Sequence, residues 1–259
     1  MGGIMSRFEN LHKKLKNREE ILTTNLGNVA WSGIIELISR FPFDGVVIDL
    51  EHGTLSVESA EALLRTCRLC DLPGIVRIPD CVPNLISKTL DMGADGIILP
   101  RVESVEQVET AIRAMRYFPR GRKGCGGFSN LRREDCGSTD KYNDNRLLFV
   151  QMESKEGLAI LPDILKNYKD EISGVLIGPY DASIMLGTPL DILSDEMTEF
   201  VGKVFSVCNK EKITCGSFVD DKTLIERYRS LGGNFFWTGT ELSLLSESYK
   251  ALCEEFGKK

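Results

Sequence analysis

The chain is expected to be an α/β protein, a single-domain (β/α)8 TIM barrel spanning residues 1–259, and three observations predict this. Short apolar, β-rich runs alternate eight times with segments whose apolar residues recur at helical spacing. Charged and amide residues appear where several of those runs stop, as at the mouth of a parallel barrel whose strands are otherwise buried. A chain of 259 residues with ordinary apolar and charged fractions is also the size of one such barrel.

The expected strands are 21–26, 45–50, 74–78, 96–101, 147–153, 174–179, 212–219 and 235–240. Between them Ala30 to Arg40, Val57 to Cys70, Val82 to Met92, Val105 to Tyr117, Leu158 to Tyr168, Met197 to Lys210, Leu224 to Leu231 and Leu242 to Phe256 carry apolar stripes of helical period. Gly93, Gly96, Gly174 and Gly232 fall between helix ends and the strands that follow, where a left-handed residue ends a helix cheaply. Residues 1–20 read as a charged N-terminal helical extension. The Gly- and charge-rich stretch 119–146 interrupts the regular alternation and is expected to be a long loop on the active face.

A formal net charge of −6 speaks against broad nucleic-acid binding, since Arg113 to Lys123 is the one local basic stretch. No run has the apolar length of a membrane span, and the first residues lack the apolar core of a signal peptide, so no membrane partner and a cytoplasmic location are expected. Met1-Gly2-Gly3-Ile4-Met5-Ser6 fits an N-myristoylation pattern only formally, because so short a pattern recurs by chance. The eight cysteines show no disulfide-scaffold spacing. Cys67 and Cys70 read as two half-buried helix residues rather than a zinc site, because no second pair follows.

Strand side chains alternate between faces, so Asp49 shares a face with Glu51, and Gln151 with Glu153. On a barrel, Asp49, Glu51, His52, Arg77, Arg101, Gln151, Glu153 and Asp181 would all reach the face at the strands' C-terminal ends. Glu153 and Asp181 follow neighbouring strands and could share one cation. An all-oxygen set with few protein ligands suits Mg2+ or Mn2+ better than Zn2+; from spacing alone, a carboxylate pairing with an arginine serves equally. His52 is one of two histidines, the other being His12 in the N-terminal helix, and its place after Asp49 and Glu51 favours a general base. Gly178 to Ser183 turns from strand six into a helix start whose N–H groups could receive a carboxylate.

Phe43-Asp44-Gly45-Val46-Val47-Ile48-Asp49-Leu50-Glu51-His52, Val76-Arg77, Leu90-Asp91-Met92-Gly93-Ala94, Leu99-Pro100-Arg101-Val102, Arg116-Tyr117-Phe118-Pro119-Arg120-Gly121, Val150-Gln151-Met152-Glu153 and Ile177-Gly178-Pro179-Tyr180-Asp181 together resemble the HpcH/HpaI aldolases, metal-dependent class II pyruvate aldolases. The resemblance implies reversible cleavage of a 4-hydroxy-2-oxo acid to pyruvate and an aldehyde. It also implies that Glu153 and Asp181 hold a divalent ion, Mg2+ or Mn2+ with Co2+ as a third candidate, and that Gln151, Tyr180 and Asp181 line the substrate site. By the same resemblance Arg77 stabilises the enolate, Asp91 orients His52 for proton transfer, and the chain forms a homo-oligomer, a trimer or hexamer. Tyr180, Phe118, Lys123 and the strand-one end Thr24-Asn25-Leu26 depart from the family pattern. A Schiff-base mechanism would need a strand lysine, and strands two to six have none, Lys155 lying just past strand five. The competing readings are a CoA-thioester lyase of the citrate lyase β-subunit or malyl-CoA type and a non-catalytic keto-acid-binding barrel.

Overall fold

Eight parallel strands close into a barrel, each paired with its neighbours in chain order and β8 returning to β1, in a computed structural model that describes residues 5–258. The strands are β1 (Ile21–Leu26), β2 (Gly45–Asp49), β3 (Gly74–Arg77), β4 (Gly96–Leu99), β5 (Leu147–Met152), β6 (Gly174–Ile177), β7 (Thr214–Val219) and β8 (Phe235–Thr240). The helices are α1 (Arg7–Asn17), α2 (Gly33–Ile38), α3 (Val57–Leu69), α4 (Pro83–Asp91), α5 (Val105–Met115), α6 (Thr139–Asn145), α7 (Lys155–Tyr168), α8 (Pro179–Leu186), α9 (Asp195–Lys210), α10 (Lys222–Ser230) and α11 (Glu241–Glu255). The myristoylation pattern at Gly2 lies outside the described residues.

The period-two alternation sorts the strands into two cores. Val46, Ile48, Val76, Ile97, Val150, Val175 and Phe236 point outward and pack against the helices, while Val47, Ile75, Ile98, Phe149, Leu176, Phe235 and Trp237 fill the barrel interior. Leu11 of α1 joins that interior cluster, so α1 plugs the end of the barrel at which the strands begin. Strand four stops at Leu99 rather than 101 because Pro100 has no N–H to continue the ladder and Arg101 takes a left-handed backbone, φ 46°.

The excursion 119–146 requires a correction. It leads from the C-terminus of α5 to the start of β5, and barrel helices run antiparallel to their strands, so it lies at the end of the barrel opposite the active face. Its contacts agree: Arg132 donates to the Asp95 carboxylate at 2.5 and 2.8 Å, and Arg146 donates to the Ala94 carbonyl at 3.0 Å, both just before or at the start of β4. No described helix is long and apolar enough to cross a membrane.

Candidate active site

The inward-facing column of each strand becomes polar toward its C-terminal end, and these ends meet in one place. On β2 the column runs from Val47 to Asp49, on β3 from Ile75 to Arg77, and on β5 from Phe149 to Gln151, continuing to Glu153. Arg77 is buried and bonds bidentately to Asp49, Nε donating to Oδ1 at 2.9 Å and Nη2 to Oδ2. Its Nη1 faces Glu51 Oε2 at 3.2 Å, and its guanidinium stacks on the Trp237 ring 4.9 Å from the centroid. Asp49 Oδ1 also accepts the backbone N–H groups of Glu51 and His52 at 3.0 and 3.2 Å, which shapes the turn leaving β2. Gly53 completes that turn with φ 104°, and any Cβ there would overlap the Gly27 carbonyl. Arg101 reaches Glu51 Oε1 at 3.3 Å from the rim.

Gln151 and Glu153 are buried, and the Gln151 amide donates to Glu153 Oε1. Glu153 Oε2 and Gln151 Oε1 are both buried without a hydrogen-bond partner. Burial, then the charges of Glu51 and Asp181, push the Glu153 carboxyl up to about 8, with the Gln151 hydrogen bond and Arg77 pulling the other way. Burial likewise raises Glu51, opposed chiefly by Arg77. This pocket accommodates Glu153 only because residue 178 is glycine: a Cβ there would overlap Glu153 Oε1 and Gln151 Nε2.

Gly178 leads into α8, with Pro179 at its first position, where a missing N–H costs nothing. The first-turn N–H groups of Tyr180 and Asp181 have no partner within the helix and point out of its N-terminus. Asp181 Oδ2 lies 3.4 Å from His52 Nε2. The Tyr180 hydroxyl donates to the Asp220 carboxylate. A cavity of about 300 Å³ opens here, lined among others by Asp49, His52, Arg77, Gly178, Asp181 and Trp237.

The structure thus gathers His52, Arg77, Gln151, Glu153, Tyr180 and Asp181 at one mouth. It does not bring Asp91 to them. Asp91 ends α4 at the opposite end of the barrel, where its carboxylate accepts from Lys123 Nζ at 2.5 Å and its carbonyl from Asn130 at 2.9 Å. The expected orientation of His52 by Asp91 is therefore not formed within the chain; the carboxylates bonded to or facing His52 are Asp49, through the backbone, and Asp181. Sequence reasoning missed Glu241, whose buried carboxylate accepts the N–H groups of Gly27, Asn28 and Val29 and so ties the β1–α2 loop to the end of β8. The signal was present, a carboxylate directly after strand eight, as Glu153 is after strand five. It also missed Phe218 and Trp237, which the inward register of β7 and β8 would have identified.

Among the described residues no three His, Cys, Asp or Glu side chains converge as a ready metal cluster. The donors that do fit a hard divalent cation are Glu153 and Asp181. A buried carboxylate with an unpartnered oxygen, close to further negative charge, is an arrangement that a cation relieves.

The sequence pattern of the family described as HpcH/HpaI aldolase/citrate lyase matches residues 29–248. A hydroxypyruvate/pyruvate aldolase of Roseovarius nubinhibens is 31% identical over 227 residues, covering 84% of this chain and 87% of that protein. A 4-hydroxy-2-oxo-heptane-1,7-dioate aldolase of Escherichia coli is 29% identical over 227 residues, covering 86% and 85% respectively. Among solved structures, an HpcH/HpaI aldolase from Desulfitobacterium hafniense superposes with a TM-score of 0.86 at 22% identity over 95% of each chain. Macrophomate synthase does so with a TM-score of 0.80 at 20% identity, covering 97% of this chain and 91% of that one. At such identities the structural likenesses speak for the barrel fold.

Proposed function

Because the chain belongs to the HpcH/HpaI aldolase/citrate lyase family and is an aldolase-type carbon–carbon lyase, we propose that it reversibly cleaves a 4-hydroxy-2-oxo acid into pyruvate, or a close 2-oxo acid such as hydroxypyruvate, and an aldehyde, with a divalent cation. The observation that carries this reading is Glu153, buried with one carboxylate oxygen unpaired and Asp181 beside it. Mg2+ or Mn2+, with Co2+ a third candidate, held by Glu153 and Asp181 would supply Lewis-acid polarisation of the 2-oxo group.

This chain's own residues account for the rest. The substrate carboxylate meets the N–H groups of Tyr180 and Asp181 at the start of α8. In cleavage the C4 hydroxyl gives up its proton, the C3–C4 bond breaks, the aldehyde leaves and the electron pair remains as pyruvate enolate. Arg77, immobilised by Asp49 and Glu51, presents a fixed positive charge to the developing enolate without reorganising. His52 carries the proton from the hydroxyl and returns one to C3, since it is the imidazole at this mouth. None of the eight strands carries a lysine, so a Schiff-base route has no strand nucleophile.

Chelation should abolish pyruvate formation from a 4-hydroxy-2-oxo acid, and Mg2+, Mn2+ or Co2+ should restore it. Full activity in chelator, or a pyruvate adduct trapped by borohydride, would sink the proposal; turnover of malyl-CoA in preference to 4-hydroxy-2-oxo acids would move the chain to the CoA-thioester reading. We extend the proposal to a homo-oligomer, a trimer or hexamer. Leu244, Leu245 and Leu252 are exposed on α11, as is Phe256 at its C-cap, and the single buried residue of the helix is Glu241. Light scattering measures the assembly directly.

A further inference from the structure

Resting on the proposed aldolase reading, we infer that the aldehyde partner of this enzyme is uncharged and apolar, its chain packed against an aromatic wall, and not a semialdehyde bearing a second carboxylate. The side of the cavity toward β7 and β8 is a row of three rings. Trp237 meets Phe218 edge to face at 5.6 Å between centroids, and Phe218 meets Tyr180 at 6.2 Å. The polar tips of this row are already engaged: Trp237 Nε1 donates to Asn25 Oδ1 at 3.0 Å, and the Tyr180 hydroxyl donates to Asp220. Trp237 is buried and backs the row, so what Phe218 and Tyr180 offer a ligand in front of it is apolar surface.

The charges point the same way. Arg77 is the one lysine or arginine among the described residues that line the cavity, and its guanidinium is held by Asp49 and Glu51 and stacked on Trp237. In the proposed reaction it is engaged with the 2-oxo acid half. A carboxylate at the far end of the aldehyde would find no second cation on the wall and would approach Asp220, which stands behind Tyr180. By its name, the Escherichia coli relative acts on a seven-carbon dioate, so removal of pyruvate leaves a four-carbon aldehyde that keeps a carboxylate. The wall of the present chain is built for the counterpart without that charge, and Tyr180, which departs from the family pattern, supplies its outermost ring.

The test compares succinic semialdehyde with butanal, its length-matched uncharged counterpart, and with benzaldehyde, in the condensation direction with the metal-loaded wild-type enzyme. Butanal and benzaldehyde should exceed succinic semialdehyde in kcat/KM by at least about tenfold. Exchange of pyruvate's methyl protons with D2O, followed by NMR without any aldehyde, reads the proposed function independently. Exchange together with a preference for the semialdehyde overturns this inference and leaves the function standing; no exchange and no condensation with any aldehyde overturns both. Phe218→Arg should shift the preference toward the semialdehyde, and Tyr180→Ala should cost benzaldehyde more than butanal. Two folded variants with unaltered preferences would remove the rings from the acceptor site.

Discussion

At Glu153 a carboxylate lies inside the barrel with one oxygen unpaired and its proton affinity raised by burial and by Glu51 and Asp181, which makes its ionised form costly to fold around. Glu153→Gln should therefore leave the chelated protein as stable as the parent or more so. The same variant should lose the rise in melting temperature that a divalent cation gives the parent, a ligand effect of about 2.7 kcal/mol at a hundredfold excess over Kd. Differential scanning fluorimetry with and without chelator measures both. Arg77 and His52 divide the chemistry. Arg77→Ala should lower kcat by roughly 10²–10³-fold, as for a lost oxyanion donor, while weakening pyruvate binding far less. His52→Ala should retain pyruvate and cation affinity and lose most deuterium exchange into pyruvate's methyl group. Exchange at the parent rate would place the base elsewhere.

The elements that carry these residues work through their ends. Strand β6 is followed directly by Gly178, so that Gln151 and Glu153 at the end of the adjacent strand can lie across it, and α8 starts one residue later with free N–H groups aimed into the same cavity. Gly178→Ala adds one methyl group where Glu153 Oε1 and Gln151 Nε2 already are. It should displace Glu153 and weaken cation binding measured by calorimetry, with activity falling in parallel. A fully active Gly178→Ala enzyme would show that Glu153 need not occupy this position.

Across the whole molecule, chemistry and closure are kept at opposite ends of the barrel. The end where the strands begin is sealed by α1 and the 119–146 segment through ion pairs: Arg132 with buried Asp95, stacked 4.8 Å from the Phe8 ring, and Arg146 with buried Asp135. Removing one partner strands a buried charge, so Arg132→Ala should cost about 3–5 kcal/mol in urea unfolding while the folded fraction keeps its kcat. His12 lies in the same seal with Nε2 buried and unpartnered, and burial lowers its pKa below the ordinary 6.5, with Asp95 pulling the other way. Unfolding lets this imidazole protonate at its ordinary pKa, so the unfolded state binds more protons as pH falls through that value, and stability drops on the acid side. His12→Gln should flatten that part of the stability profile, measured by urea midpoints across the range.

The sequence by itself determined the eight βα units, the inward alternation and the cluster of Asp49, His52, Arg77, Gln151, Glu153 and Asp181 at the strand ends, because strand and helix periods are local properties that fix which face each side chain takes. Two matters were decided only by tertiary structure. Residues 119–146 and Asp91 belong to the sealed end: a connection's position on the barrel depends on the direction of the helix before it, which composition does not reveal. The pairing of charges was likewise hidden. Arg77 with Asp49 and Glu51, Glu241 with the β1–α2 loop and Tyr180 with Asp220 join residues distant in the chain, and closure of the barrel brings them within hydrogen-bonding or ion-pairing reach.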